Sequence, residues 1–277
     1  MVYGHSLTYE DMSVTESLLS IFQLTLCSFS ERSRRNLKSP RKIKFNFNVL
    51  PQEESFPGRS SFSQDLFNNE TSMKIRNAAK ESKFIQGMAT GTLDPDDYGG
   101  YMVQDAAYCF NAVGAFDYAA QQMQVQGKPE FSLLYRVQSE TYKSYNQEFV
   151  KTWRLKNTES VVMGPAAEMY VGYESALSRQ DAKFLCIAML PCTMLWPWIA
   201  SELIDSVDEK NPYYGWFEDN KPDTNDKSRL EKFVDFFFTP EDKEKSLLIF
   251  HEGLVNELNF FRDACDETLY YYSYFNL

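Results

Sequence analysis

The sequence predicts an all-α protein, with one multi-helical domain over residues 56–277 behind an N-terminal extension over residues 1–55. From about Ser61 onward, apolar residues recur three and four positions apart, which is the period of amphipathic helices. Prolines next to capping residues mark several helix starts, and no strand–helix–strand alternation is visible. Together these observations predict a bundle of seven to nine helices.

The N-terminal extension differs from the domain in charge and pattern. Its apolar stretch Leu18–Phe29 is too short and too polar to span a bilayer, and the acids before it argue against a secretory signal. A basic cluster lies between Arg32 and Lys44. We expect this extension to be poorly ordered or peripheral, and mitochondrial targeting is the alternative role. Residues 43–49 alternate between apolar and polar side chains, which favours an extended segment lying on the domain.

The domain begins with an amphipathic helix and a turn. Four apolar residues start the helix: Phe62, Leu66, Met73 and Ile75. Gly87 and Gly91 then indicate a turn.

Three further helices follow in the first half of the domain. Asp94 and Pro95 start a helix that reaches about residue 124, because aspartate is a good cap and proline suits the first helical position. Pro129 opens the next helix, and Pro165 opens one that extends through about residue 177.

The longest nearly uncharged run, Phe184–Leu203, predicts an apolar helix at the centre of the core. Pro191 and Pro197 each remove a backbone donor from it, so we expect a kinked or locally opened helix. A short aromatic segment, Tyr213–Phe217, and a loop over residues 221–226 come after it.

The chain ends with one long helix and an aromatic tail. Thr239 and Pro240 start the helix, which should reach about Cys265. The tail, Tyr270–Phe275, is too aromatic to stay in water, so we expect it to pack back on the domain.

Charge and composition narrow the classes of function. Residues 1–45 carry seven Lys and Arg against four Asp and Glu, whereas residues 46–277 carry 21 Lys and Arg against 35 Asp and Glu. The domain is therefore acidic and would repel a phosphate backbone, which argues against nucleic acid as a partner. Five cysteines without a C-x-x-C pair favour free thiols in a reducing, cytoplasmic location, and no membrane partner is expected. Only His5 and His251 are available, too few for a His-rich metal site, and we expect neither a metal nor a cofactor.

Two acids interrupt apolar helical faces. Asp105 lies on a face with Tyr101, Tyr108 and several alanines, and Glu257 takes an apolar position on the last helix. A buried carboxylate is costly unless it is hydrogen-bonded or paired, and each of these could be satisfied for structural reasons alone. Two such acids in one domain favour a polar pocket inside the core, where burial would raise the pKa of Glu257 and make it a useful acid or base.

Cys192 is the candidate nucleophile. A cysteine in an apolar helix is usually only a small hydrophobic residue, which is our interpretation of Cys109, Cys186 and Cys265. Cys192 differs because it follows Pro191, where a thiol can face a cavity; a neighbouring acid or base is still needed to form the thiolate.

Four motifs occur in order over residues 60–265. Residues 84–93 with 101–108 (FIQGMATGTL, YMVQDAAY) are similar to the opening of the TenA/thiaminase II family, and Met189–Cys192 followed by aromatic residues resembles that family's Leu-Pro-Cys element with an aromatic-rich turn. Tyr213–Trp216 resembles its Tyr-x-x-Trp step, and Glu257–Phe261 resembles its C-terminal Glu-x-x-Phe-Trp element.

The resemblance implies a haem-oxygenase-like helical bundle without haem, often a homotetramer or other homo-oligomer. It implies a small-molecule substrate, thiamin or a degraded thiamin, cleaved at the bond from the aminopyrimidine methylene to its leaving group. In that scheme Cys192 adds to the pyrimidine ring and Glu257 is the general acid/base. The remaining roles fall on four residues: Asp105 holds the amino group and a ring nitrogen, Tyr108 orients the site near the thiol, Phe260 packs on the ring, and Tyr170 substitutes for a pocket tyrosine.

The chain departs from the family pattern at four places. The family's His-Pro is Ser82-Lys83, two pocket tyrosines fall on Asn220 and near Glu168, and the final aromatic is Phe261. These changes leave the acceptor open: water gives a hydrolase, whereas an amine or thiol gives a base-exchange thiaminase. A non-catalytic aminopyrimidine-binding or regulatory protein is the second hypothesis. A haem- or di-iron-dependent oxidase, which borrows only the fold, is the third.

Overall fold

The computed structural model describes residues 61–153, 158–222 and 227–275. Within these ranges the chain forms ten α-helices and no β-strand, which confirms the predicted all-α class. The N-terminal extension, its basic cluster, the domain boundary at residue 55, Cys27 and His5 lie outside the described residues.

Short connections join the helices, several of them through single 3-10 turns. The helices are α1 (Phe62–Phe67), α2 (Glu70–Lys80), α3 (Lys83–Thr90), α4 (Pro95–Val125), α5 (Pro129–Trp153), α6 (Pro165–Asp181), α7 (Leu185–Leu203), α8 (Tyr214–Asn220), α9 (Arg229–Phe237) and α10 (Lys243–Asp263).

The predicted starts of α4, α5 and α6 are confirmed, whereas at the start predicted for α10 a 3-10 turn over Pro240–Asp242 comes first and the α-helix begins at Lys243. The Asp94 side chain accepts the backbone N–H of Asp96 at 2.9 Å, and Pro95 is the first residue of α4. Pro129 and Pro165 open α5 and α6 in the same way. The proline ring has the backbone φ that the first helical turn needs, and its missing N–H is not required there.

The first predicted helix is wrong as a single element, because two helices replace it. Asn69 Oδ1 accepts the backbone N–H of Thr71 at 3.0 Å and starts α2 afresh. Leu66 and Ile75 are fully buried, but Met73 is 38% exposed. An asparagine that caps in this way competes with helix continuation, and the apolar spacing alone did not reveal it.

Of the two glycines assigned to a turn, only Gly91 belongs there. Gly91 ends α3 with φ 71°, a conformation that favours glycine. Gly87 instead lies inside α3, where a Cβ would be only 3.1 Å from Cβ of Leu93. Its absent side chain lets the chain fold back closely after Gly91.

Helix α9 was not predicted, and with the split of the first helix it brings the count in the described residues above nine. Ser228 and Glu231 start α9 with a reciprocal capping box: Ser228 Oγ accepts the backbone N–H of Glu231 at 3.2 Å, and Glu231 accepts the backbone N–H of Ser228 at 2.9 Å. Of the predicted loop over residues 221–226, only Lys221 and Pro222 are described.

Helix α7 is the apolar centre of the bundle. It runs through Pro191 and Pro197 without a break, which corrects the expectation of a local opening. Burial of nearly every side chain around the prolines holds the helix together although each removes one hydrogen bond. Trp196 and Trp198 also lie within α7, not in a turn.

Residues 165–206 are long and apolar enough to cross a membrane by composition alone, but 72% of their most apolar window is buried inside the bundle. That burial is expected of the core helix of a soluble protein.

A tyrosine fixes where α7 begins. The hydroxyl of Tyr135 on α5 donates to the carbonyl oxygen of Ala182 at 2.6 Å and accepts the backbone N–H of Cys186 at 3.1 Å. Tyr135 thereby satisfies backbone groups at the turn between α6 and α7, where helix ends otherwise leave them unpaired. Around α7, α4 packs on α5 and α6, and α10 packs on α7 and α2.

The tail packs back on the bundle at Tyr270, as predicted. Its backbone N–H and carbonyl oxygen both pair with the side-chain amide of Asn259, each at 2.8 Å. The guanidinium of Arg262 lies 4.0 Å from the centre of the Tyr270 ring. Tyr271 and Tyr274, in contrast, are 61% and 58% exposed.

Candidate active site

Five helices, α4, α5, α6, α7 and α10, line a partly open cavity of about 40 Å³. All six candidate site residues from the sequence line it. The full lining is Asp105, Tyr108, Gln138, Tyr142, Tyr170, Met189, Cys192, Thr193, Trp196, Glu257 and Phe260.

Glu257 enters the cavity from α10 and is held by two donors. The hydroxyl of Tyr170 donates to Oε1 at 3.0 Å, and the indole N–H of Trp196 donates to Oε2 at 2.7 Å. Burial raises the pKa of Glu257 to about 7, against the lowering effect of these two hydrogen bonds. The carboxyl can therefore gain or lose a proton near neutral pH.

Asp105 enters from α4 and is bound by a tyrosine that the sequence did not single out. The hydroxyl of Tyr145 on α5 donates to Asp105 Oδ2 at 2.5 Å. Burial raises the pKa of Asp105 to about 6, while the hydrogen bond from Tyr145 lowers it. One carboxyl oxygen is thus fixed by α5.

Cys192 faces the cavity from α7 and is partly exposed to it. Burial raises the pKa of the thiol well above its usual value, and the nearby charges of Glu257, Asp105 and Glu174 raise it further. No Lys, Arg or His is among the residues that line the described cavity. The thiol is therefore protonated before a ligand binds, and its proton must pass to a neighbouring basic group during any nucleophilic attack.

Tyr108 lies between the carboxyl groups and the aromatic wall. Its hydroxyl donates to Glu174 Oε2 at 3.0 Å and lies 3.3 Å from the hydroxyl of Tyr142. Its ring centre is 4.9 Å from that of Tyr170 and 5.9 Å from that of Phe260, the latter edge to face. These rings form flat apolar walls beside polar edges.

A protonated thiol, two carboxyls of raised pKa and aromatic walls thus share one site. The combination suits nucleophilic and acid–base chemistry on a small flat ligand with polar edges.

The sequence model of the TENA/THI-4/PQQC family matches residues 74–266. The chain belongs to the TENA/THI-4/PQQC family. Among curated proteins, no sequence matches it significantly.

Solved structures of three archaeal proteins are similar to this family member. A TenA homologue from P. horikoshii OT3 has a TM-score of 0.60 at 20% identity, over 74% of this chain and 98% of its own. A TenA homologue from Pyrococcus furiosus has a TM-score of 0.55 at 18% identity, over 73% of this chain and 99% of its own. A putative TenA-like thiaminase from Sulfolobus solfataricus has a TM-score of 0.52 at 16% identity, over 75% of this chain and 98% of its own. At these identities the likeness shows the shared fold, a multi-helical bundle of the all-α class that the sequence predicted.

Sequence reasoning missed several polar groups of the site in this family member. The most informative is Glu174, which is fully buried on α6, one helical turn after Tyr170. A lone acid in the stripe Ala166, Ala167, Tyr170 and Leu177 carries the same signal that identified Asp105 and Glu257. Gln138 and Trp196 gave no such signal, since a glutamine or tryptophan on a helix has many ordinary uses.

The positions that depart from the TenA pattern lie away from the cavity. Ser82 caps α3, and Asn220 donates from its side chain to the carbonyl oxygen of Trp216 at 2.8 Å. Glu168 is exposed, whereas Tyr170 lines the cavity. Trp216 packs on Trp196 at 5.8 Å between ring centres, so it supports the cavity wall from behind.

The described histidine is also remote from the cavity. His251 Nδ1 lies 3.0 Å from the hydroxyl of Tyr272 in the tail, and burial lowers the pKa of the imidazole to about 4. Within the described residues, no group of three or more His, Cys, Asp or Glu is arranged to hold a metal ion.

Proposed function

We propose that this TENA/THI-4/PQQC family member is a thiaminase II-like hydrolase. Its substrate is thiamin or a thiamin-derived aminopyrimidine, and the bond broken joins the pyrimidine methylene to the nitrogen of the leaving group. One observation carries the proposal: Cys192, Glu257 and Asp105, brought from three helices, line one cavity with aromatic walls. Membership of the family and the TenA-like fold support the same substrate class.

In the proposed reaction Cys192 is the nucleophile. Its sulfur forms a bond to a ring carbon of the pyrimidine, and the thiol proton passes to a basic group of the cavity. Glu257 gives a proton to a ring nitrogen, so the ring accepts the electron pair that the sulfur supplies. The leaving group departs with the electrons of the methylene C–N bond. Water then adds to the methylene and loses a proton. As Cys192 leaves with the electrons of the C–S bond, Glu257 takes back the ring-nitrogen proton and the aromatic ring is restored; the thiolate regains its proton from the basic group that had accepted it.

Three other residues bind and orient the substrate ring in this proposal. Asp105 accepts a hydrogen bond from the amino group beside a ring nitrogen. Its Oδ2 is already bound by the Tyr145 hydroxyl, so the carboxyl is held in one orientation. Phe260 packs on the face of the ring, and Tyr108 orients the side of the site near the thiol. Tyr170 holds Glu257 in place.

The size of the cavity limits what enters. About 40 Å³ has room for roughly three water molecules. An aminopyrimidine ring is larger than this volume, so it displaces lining side chains or extends into the open mouth of the cavity, and the leaving-group half of thiamin lies toward that mouth. Smaller aminopyrimidines should consequently be accepted at least as well as thiamin.

Mass-spectrometric product analysis tests the proposal. The purified full chain is incubated with thiamin and aminopyrimidine analogues, with and without an added amine, beside Cys192→Ser and a Cys109→Ser control. Free hydroxymethyl-pyrimidine that requires Cys192 supports the hydrolase, whereas an amine–pyrimidine adduct alone replaces it with a base-exchange thiaminase. Turnover that is unchanged in Cys192→Ser would show that Cys192 is not the nucleophile. Binding without any product favours a non-catalytic aminopyrimidine-binding protein.

The proposal extends to assembly and location. We place the protein in the cytoplasm, where the free thiols Cys109, Cys186, Cys192 and Cys265 stay reduced. We also propose a homodimer or homotetramer, which light scattering of the purified chain measures directly.

A further inference from the structure

Glu174 is a buried carboxyl that the proposed reaction does not use. It is fully buried on α6 and lies behind Tyr108, outside the cavity lining. Its Oε2 accepts from the Tyr108 hydroxyl at 3.0 Å. Its Oε1 is buried and has no hydrogen-bond partner among the described residues. Such a group is costly to keep in a core, so its presence calls for a reason.

Each carboxyl near the cavity is paired with a tyrosine hydroxyl. Tyr145 donates to Asp105, Tyr170 donates to Glu257, and Tyr108 donates to Glu174. Only in the third pair does the tyrosine line the cavity while the carboxyl does not. Glu174 can therefore affect a ligand through Tyr108 and not by touching it.

The Tyr108 hydroxyl has one proton, and the acceptor behind it decides where that proton points. When Glu174 is ionised, Tyr108 donates toward α6 and leaves its oxygen lone pairs for the cavity and for Tyr142, whose hydroxyl is 3.3 Å away. When Glu174 is protonated on Oε2, the carboxyl donates to Tyr108, and the tyrosine proton turns toward the cavity or toward Tyr142. One proton thus reverses the hydrogen-bonding character of a cavity residue.

We propose that Glu174 is a positioning residue of the active site, which holds the Tyr108 hydroxyl so that its oxygen lone pair faces the cavity. The inference rests on the proposed function, since it concerns the same site. In this arrangement Tyr108 accepts a hydrogen bond from the protonated thiol of Cys192 or from the substrate. Glu174 ionised is the productive form.

Among the described residues, no cationic side chain contributes to the electrostatics of Glu174. The groups facing it from the packed helices are Tyr108 and Cys109 on α4, Tyr142 on α5, Cys192 on α7 and Glu257 on α10. Tyr170 and Tyr173 of its own helix complete the set. Burial raises the pKa of Glu174 to about 8; the Tyr108 hydrogen bond opposes the rise and the charge of Glu257 adds to it. The fraction of the protein with Glu174 ionised, which is the productive form, therefore increases as the pH rises through 8.

Substitutions at Glu174 and Tyr108 test the inference by turnover. Glu174→Met should lower kcat about tenfold, the value of one lost hydrogen bond to a charged group, with KM within about twofold. Tyr108→Phe should have a similar effect, and the double variant should be no worse than either single variant. Glu174→Gln keeps an acceptor and should restore most of kcat, but the ionisation near pH 8 should be missing from its kcat/KM profile, while the decrease caused by loss of the Glu257 proton above about pH 7 should remain. Unchanged kcat in Glu174→Met, or losses that multiply in the double variant, overturns the inference.

Stability separates positioning from a structural role. Glu174→Met replaces a buried carboxyl by an apolar chain of similar length, so its melting temperature should not fall. A Glu174 that served only the fold would lose stability and activity together. Glu231→Gln is the matched control, because Glu231 is a buried carboxyl that caps α9 and does not line the cavity; its kcat should equal that of the wild type.

A readout without turnover distinguishes failure of this inference from failure of the proposed function. The pH dependence of Cys192 alkylation by iodoacetamide is followed peptide by peptide in the wild type, Glu174→Met and Glu231→Gln. Loss of the Glu174 charge should move the Cys192 profile to lower pH, and Glu231→Gln should not. If the wild type cleaves no substrate but the profile moves, the hydrolase is wrong and the coupling of Glu174 to the cavity stands. An unmoved profile overturns the coupling whether or not the protein is active.

Discussion

Gly253 of α10 lies directly against Pro191 of α7. A Cβ built on Gly253 would be 2.7 Å from Cγ of Pro191 and 3.2 Å from the carbonyl oxygen of Ala188. Glu257 follows Gly253 by one helical turn, and Cys192 follows Pro191 in the chain. This close approach therefore sets how near the candidate acid/base comes to the candidate nucleophile.

Gly253→Ala should push α10 away from α7. The added methyl group has no room, because it meets a proline ring and a helix backbone, so we expect a loss of about 1–3 kcal/mol in the free energy of unfolding. Turnover by the folded fraction should also fall, since Glu257 and Cys192 move apart. Urea unfolding and kinetics on the same preparation measure the two effects.

Gly172→Ala is the matched control for that substitution. Gly172 lies on α6, is exposed, and has nothing within 4 Å of a built Cβ. Alanine there should stabilise the protein by about 0.5–1 kcal/mol through helix propensity and leave kcat unchanged. Equal stability changes for Gly253→Ala and Gly172→Ala would show that the contact with Pro191 does not constrain the helices.

Much of the bundle is predictable because long helices carry redundant signals. The start of α4 is marked by Asp94 and Pro95, and its buried face repeats for 31 residues. Short helices lack that redundancy. Helix α9 has only a nine-residue pattern and the Ser228–Glu231 capping box, and the capping of α2 by Asn69 depends on one side chain.

The candidate site is predictable to the extent that its polar residues interrupt apolar stripes. Asp105 and Glu257 do so on long helices, and the family motifs identify Cys192. Gln138 and Tyr145 do not interrupt a stripe in any way that spacing reveals, because their part in the site depends on which helix packs opposite. The pairing of Tyr145 with Asp105 is a tertiary fact, set by how α5 packs on α4.

Stability should fall as the pH rises from about 5 to 8. Burial raises the pKa of Asp105 to about 6, of Glu257 to about 7 and of Glu174 to about 8, all above the values that the unfolded chain would show. The folded state then binds more protons than the unfolded state across this window, so each increase in pH favours unfolding. Calorimetric melting temperatures across the window should decrease by several degrees.

Glu174→Gln should flatten that decrease. The amide does not titrate, so the contribution of the group with the highest of the three pKa values disappears, chiefly between pH 5 and 8. Glu231→Gln should leave the decrease as it is in the wild type. A melting temperature that rises over the window in the wild type would mean that these carboxyls are not buried as the structure shows.

Glu257→Gln should lower kcat by about 100-fold or more while KM changes little. General acid–base catalysis contributes on this scale. Glutamine keeps the size of the side chain and an acceptor oxygen for the indole N–H of Trp196, but it cannot transfer a proton, and the Tyr170 hydroxyl must turn to accept from its NH2 group. Steady-state kinetics with an aminopyrimidine substrate provide the measurement. A large rise in KM with kcat unchanged would instead assign Glu257 to binding alone.

Phosphate esters of thiamin should be poor substrates compared with thiamin. The cavity presents Asp105 and Glu257 without a cation among its described lining residues, and the leaving-group half would lie outside it. A groove of about 480 Å³ shares Phe260 with the cavity and is acidic as well; its carboxylates are Asp96, Asp97, Asp263 and Asp266.

The expected discrimination is electrostatic, so it has a salt dependence. The ratio of kcat/KM for thiamin to that for its diphosphate should be at least about 100 at low ionic strength and should shrink at roughly 0.3 M salt, because exposed charges are then screened. Asp266→Asn should reduce the ratio without lowering kcat for thiamin. Asp266 has φ 52°, a left-handed conformation that asparagine also adopts, so the substitution removes charge without straining the backbone. A ratio near one, unaffected by salt, would place the substrate's leaving-group side away from this acidic groove.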